Sequence, residues 1–158
     1  MTEVTYRKLK NMIQRVQTLF LLVVVAASIC LMVFPFVSYE NLFNKFTIST
    51  FNKVYSGTWH YIAGSLNIVI LALSVICIFL FKKRTLQFKI ANLLALLNVL
   101  LLVVLLFTNL IVVEAFLGGE KHVLWPSYLP IASMFCAFLA GIFIKKDEKL
   151  VRSADRIR

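Results

Sequence analysis

The residues of this chain that could act as nucleophiles, metal ligands or acid-base groups are scattered in a way that argues against each of those roles. Cys30, Cys77 and Cys136 are far apart, unlike the close pairs that ligate zinc. Each falls inside a long apolar run, where a free cysteine behaves as a small apolar side chain. His60 and His122 fall one in each of two hydrophilic connections, and a metal site would need further ligands that those connections do not obviously supply. The carboxylates of Glu114 and Glu120 lie beyond an apolar run, and those of Asp147, Glu148 and Asp155 lie in the C-terminal tail, so no pair is spaced for general acid-base work. Gly118-Gly119 followed by Glu120 reads as a turn, and neither a Gly-rich phosphate loop nor a serine nucleophile elbow is present. The expectation is a protein that is not an enzyme, with no catalytic residue, no cofactor and no metal.

The elements that carry these residues explain their isolation. Charged residues are clustered, and between the clusters run four uncharged segments, Val16 to Tyr39, Tyr61 to Phe81, Ile90 to Val113 and Val123 to Ile144. Each exceeds the roughly 20 residues of helix that span a hydrocarbon core. Inside hydrocarbon a segment must satisfy its own backbone hydrogen bonds or join a closed barrel, and these runs lack the alternation of barrel strands. The expected fold is therefore an all-α membrane protein: one domain of four transmembrane helices in an antiparallel up-down-up-down bundle. The expected boundaries are a leader over 1–15, helices over 16–39, 61–81, 90–113 and 125–144, connections over 40–60, 82–89 and 114–124, and a tail over 145–158.

The net charge of +10 is then a matter of topology rather than of nucleic-acid binding, which requires a basic face on a soluble surface. Fourteen of the 17 Lys and Arg residues lie in the leader, in the 82–89 connection and in the tail, against Lys45, Lys53 and Lys121 in the other two connections. Cytoplasmic flanks are enriched in Lys and Arg, so both termini are expected in the cytoplasm, with anionic lipid headgroups as partners of the flanks. The first run is too long for a signal-peptide core despite Ala26, Ala27 and Ser28, and Ile29 is a poor neighbour for lipidation of Cys30, so this helix is expected to stay uncut.

Polar atoms inside the runs belong to Asn67, Ser74, Asn92, Asn98, Thr108 and Asn109. Asn67 and Asn98 are expected to serve as interhelical packing groups, since nothing converges on them and such hydrogen bonds are worth about 0.6 kcal/mol. Pairing helices 2 and 3 from the ends of their uncharged runs places Asn98 about as deep as Ser74. Ser133, Ala137 and Gly141 form a small-residue stripe at spacings of four, suited to close approach of a helix of the same bundle, a second copy or another subunit. The segment around Phe46 to Lys53 alternates imperfectly, which suggests a short β-hairpin or a half-buried extended stretch. Pro35 ends helix 1, and Trp125, Pro126, Ser127, Tyr128 and Pro130 open helix 4, with aromatics at interfacial depth.

Both cytoplasmic flanks are patterned. Met12-Ile13-Gln14-Arg15-Val16-Gln17-Thr18 leads into helix 1, and Lys146-Asp147-Glu148-Lys149-Leu150-Val151-Arg152-Ser153-Ala154-Asp155-Arg156-Ile157-Arg158 closes the chain. In these two motifs the protein resembles a family of small bacterial membrane proteins, of the Bacteroidota type, that share a domain of unknown function. The resemblance covers Met12 to the end and implies four helices in the inner membrane, with no activity, ligand or catalytic residue. The family pattern begins at Met12, so residues 1 to 11 depart from it and suggest an upstream start.

Arg15, Gln17, Asp147 and Glu148 are expected on the same, cytoplasmic, side at the mouth of the bundle, with Asp147 or Glu148 expected to pair with Arg15 or with a residue of 82–89. Exposed pairs of this kind contribute at most about 1 kcal/mol each, too little to account for so patterned a tail. Leu150, Val151, Arg152, Ser153, Asp155, Arg156, Ile157 and Arg158 are expected to dock a protein partner or anionic lipid, with Leu150, Ala154 and Ile157 forming a narrow apolar stripe. The leading expectation is a non-enzymatic scaffold, assembly factor or accessory subunit, with a homo-oligomer as a further arrangement. The alternative is a small channel or carrier for a neutral or lipid-like solute, lined by Asn67, Asn98 and Asn109.

Overall fold

In the computed structural model, which describes residues 3–40, 45–50, 58–108 and 120–155, four long helices carry the uncharged runs. α1 spans Glu3–Val33, α2 Thr58–Phe79, α3 Arg84–Phe107 and α4 Leu129–Asp155. All four are long and apolar enough to cross a membrane. α1 and α3 each pack against both α2 and α4, so the helices form a ring of neighbours around one core.

Each helix turns a narrow face inward at spacings of three, four or seven: Leu21, Val24 and Leu31; Ala63, Ile70 and Cys77; Ala91, Leu94 and Leu101; Ala137, Ala140 and Ile144. The opposite faces are also apolar. Leu19, Val33, Leu96 and Phe79 are 61 to 72% exposed, and similar side chains cover every helix. Exposed apolar area costs roughly 25 cal/mol per Å² in water but little in lipid. A surface this apolar, wrapped around a core that holds Gln17, Asn67, Gln87, Asn98 and Asp147, gives the protein its multi-pass membrane character.

The helices outrun the apolar segments. α1 begins at Glu3 inside the basic leader, and α4 continues from the span to Asp155 without a break. Between α2 and α3 only a 3₁₀ turn, Leu80–Lys82, and Lys83 intervene, so Arg84 to Lys89, expected within the connection, form the first turns of α3. Charge marks where hydrocarbon ends, and helix-forming residues such as Leu86, Gln87 and Phe88 continue through that boundary. The shorter turn moves the register. Cys77 stands opposite Gln87, and ~1.5 Å per residue from there brings Asn98 near the level of Asn67, not of Ser74.

The other end is capped by a sheet. β1, Val37–Glu40, pairs antiparallel with β2, Lys45–Ile48, which realises the expected hairpin just N-terminal to where alternation suggested it. A third strand, β3, Glu120–Val123, pairs on the other side of β1, with Val37 opposite both Ile48 and Val123. This strand was not expected, because Glu120-Lys121-His122-Val123 is short and mostly charged or polar. Phe36, Val37 and Ile48 are buried at 2% exposure or less where the sheet meets the bundle. The turn Gly118-Gly119 lies outside the described residues.

Candidate functional site

At the end of the bundle where α2 hands over to α3, hereafter the basic end, polar side chains from α1, α3 and α4 point inward beside the Cys77 thiol of α2. Arg84 opens α3, and its Nη1 lies 3.0 Å from Asp147 Oδ2 on α4. The same nitrogen approaches the Asp147 carbonyl at 3.4 Å. The Asp147 side chain is only 3% exposed and that of Arg84 18%, so this is a largely desolvated pair rather than a surface ornament. A lone carboxylate at that burial would be costly, and the Arg84 guanidinium supplies its counter-charge and hydrogen-bond donor.

Two further contacts lock α2 to α3 directly beside the pair. Gln87 Nε2 donates to the Cys77 carbonyl at 3.1 Å, and the Cys77 thiol donates to the Gln87 carbonyl at 3.6 Å. Cys77 is thus engaged in packing, fully buried, and Cys30 and Cys136 are free thiols on other helices.

Across the core, α1 joins the cluster. Phe20 stacks on Phe143 of α4 with ring centroids 5.6 Å apart, and one turn nearer the basic end lie Gln17 on α1 and Asp147 on α4. Both are buried, at 5% and 2% exposure. Gln17 Nε2 and Asp147 Oδ1 make no hydrogen bond among the described residues, so a donor and an acceptor face the core at the same level with unused capacity. This is the polar focus of the molecule. It holds one charge, one counter-charge and amides, and no nucleophile within it is paired with a base.

The structure brings together some of the residues singled out in the sequence and separates others. Asp147 pairs with Arg84 of the 82–89 segment, Gln17 stands at its level, and Glu148 is half-buried beside them. The side chains of Arg15, Leu150, Val151, Arg152, Ser153 and Asp155, and all of Arg156, Ile157 and Arg158, lie outside the described residues. Ser133, Ala137 and Gly141 face inward, and a Cβ on Gly141 would stand 3.0 Å from Asn92 Oδ1 and 3.8 Å from the Cβ of Ala91. Gly141 thus lies at a close α3–α4 approach within this bundle. Asn67 reaches across to α1, donating to the Ser28 carbonyl at 3.0 Å. Asn98 is buried, and its Nδ2 donates to the Leu94 carbonyl of its own helix at 2.8 Å rather than to another helix among the described residues. Asn109 lies outside the described residues. His122 sits in β3, and among the described residues no three His, Cys, Asp or Glu side chains gather.

Sequence reasoning missed Arg84 and Gln87 as individuals because both were assigned to a connection. The signal was present: Gln87, Ala91, Leu94, Asn98, Leu101 and Leu105 continue one face at spacings of three and four.

Residues 13–157 match one protein family along their whole length, described as a domain of unknown function, DUF4293. The chain belongs to the DUF4293 family. Neither a curated protein nor a solved structure matches it. The DUF4293 match takes in Gln17, Arg84, Gln87 and Asp147, so the buried cluster lies wholly within the family domain.

Proposed function

We propose that this DUF4293 protein is a non-enzymatic component of a bacterial inner membrane, a scaffold, assembly factor or accessory subunit, that presents its C-terminal helix to a partner in the cytoplasm. The observation that carries this reading is the buried Arg84–Asp147 pair. It fixes α4 at the point where that helix leaves the apolar span and continues as charged helix to Asp155. A docking element that is rigid at its root loses less conformational freedom when it binds.

An up-down-up-down arrangement with both termini cytoplasmic completes the proposal. Phe20 against Phe143 and Phe34 against Trp125 support opposite directions for α1 and α4. Lys and Arg gathered in the leader, the 82–89 region and the tail support the orientation. The carrier reading has less to stand on: the amide donors of Asn67 and Asn98 are bonded to backbone, and Leu21, Ile70, Leu94 and Ala137 fill the core at zero exposure.

Affinity purification of the full chain in mild detergent, compared with a chain ending at Lys149, tests the proposal. A partner recovered with the full chain and lost with the shortened but still folded one is the expected result. Recovery of the protein alone from both, with no cellular effect of the shortening, contradicts it.

A further inference from the structure

A groove of about 400 Å³ runs between α3 and α4 at the basic end, and the polar cluster does not use it. Its floor is formed by Phe88 of α3 and by Phe138 and Ile142 of α4, and its rim by Lys145, Lys146 and Lys149. On α4 the residues 138, 142, 145 and 149 follow one another at four, three and four, so a single helix face passes from apolar to cationic along the groove. That passage coincides with the end of the uncharged run at Ile144.

We infer that this groove is a binding site for one anionic phospholipid. Its acyl chain lies along Phe138 and Ile142, and its phosphate sits between the ammonium groups of Lys145 and Lys149. Three cations crowd a site lined by no carboxylate among the described residues, and like charges that close are relieved by an anion. Lys145, exposed to solvent, also leans over the groove: its Nζ lies 5.8 Å from the centre of the Phe88 ring. Lys146 Nζ lies 5.7 Å from the ring centre of Phe143, the ring that stacks on Phe20 of α1, and thus flanks the site. Beside the groove α3 and α4 approach closely at Gly141, where a Cβ would stand 3.0 Å from Asn92 Oδ1 and 3.9 Å from the Phe88 ring. A free phosphate would engage the rim and leave the floor bare, and an uncharged lipid would do the reverse. An anionic phospholipid satisfies both, at the depth where headgroup meets hydrocarbon. The inference rests on the reading that the basic end lies at a bilayer surface, but not on any protein partner, so the two proposals fail separately.

Native mass spectrometry of the full-length protein, delipidated in mild detergent and titrated with phosphatidylglycerol or phosphatidylcholine, tests it. The expected result is at least fivefold more single-lipid adduct with phosphatidylglycerol. This preference falls at least fivefold in Lys145→Gln/Lys149→Gln and is kept in Lys83→Gln/Lys89→Gln, which removes two exposed cations elsewhere at the same end. Ile142→Trp, which fills the floor and leaves the charges, lowers binding of both lipids. Short-chain phosphatidylglycerol displaces the bound lipid, and inorganic phosphate at the same concentration does not. Equal adducts with the two headgroups, equal losses in the two lysine pairs, or displacement by phosphate alone would each overturn the site. Displacement by an acidic peptide but not by the short-chain lipid would assign the groove to protein instead.

Discussion

The two ends of the bundle are closed by different physics. At the sheet end, backbone does the work: β1 lies between β2 and β3, Phe36 N–H donates to the Ile48 carbonyl at 2.9 Å, and Leu124 N–H donates to the Phe36 carbonyl at 3.0 Å. Two hydroxyls then tie the cap to helix ends, Thr50 to the Leu31 carbonyl and Ser127 to the Phe36 carbonyl, each at 2.5 Å. At the basic end, side chains do it: a charge pair, the Gln87 amide and the Cys77 thiol each donating to the other residue's backbone carbonyl, and two buried polar atoms with capacity to spare. A ladder of backbone bonds tolerates changes of side chain. A buried charge pair does not, because removing one partner strands the other. The difference teaches that the sheet end is built to stay shut and that the basic end is where sequence identity matters most.

The largest effect should come from stranding the more buried partner of the pair. Arg84→Met leaves the Asp147 carboxylate desolvated without a counter-charge and should destabilise the protein by about 3 kcal/mol or more, read as thermal unfolding in detergent. Asp147→Leu should cost less, because Arg84 is the more exposed partner and its guanidinium can reach headgroups or water. The double variant should recover to within about 1 kcal/mol of the parent, and failure to recover would mean that the charges do more than hold helices together. Next in size is Gly141→Leu, which should cost about 2 kcal/mol by forcing α3 and α4 apart at Asn92 and Ala91. At the opposite end Thr50→Val should cost about 1 kcal/mol, the value of one ordinary hydrogen bond, in the same unfolding measurement. Smallest is Asn98→Leu, within about 0.5 kcal/mol, since the amide bonds only within its own turn. A loss at Thr50 that exceeded the loss at Arg84 would invert the comparison.

The bundle was legible because lipid leaves a plain signature: long uncharged runs separated by clustered Lys and Arg. The inner faces were partly legible, with Ser133, Ala137 and Gly141 visible as a small stripe on one face. What stayed hidden was long-range pairing. β3 joins β1 from 80 or more positions away in a stretch with no strand pattern of its own, and its partner is fixed by the fold rather than by local propensity. The Arg84–Asp147 pair was visible only as a set of options, because charge density that signals the membrane boundary also conceals which single cation turns inward. Helix boundaries slipped for the same reason: residues 84–89 carry the charges of a connection and the backbone of a helix.

The most direct test of the contrast is a photo-crosslinking residue placed in living cells at Arg152, on the helix rooted by Asp147, and separately at His122 in the sheet. The account predicts a discrete protein adduct from the first position that weakens in the Arg84→Met background, and no comparable adduct from the second. A discrete adduct from His122 with none from Arg152 would contradict it.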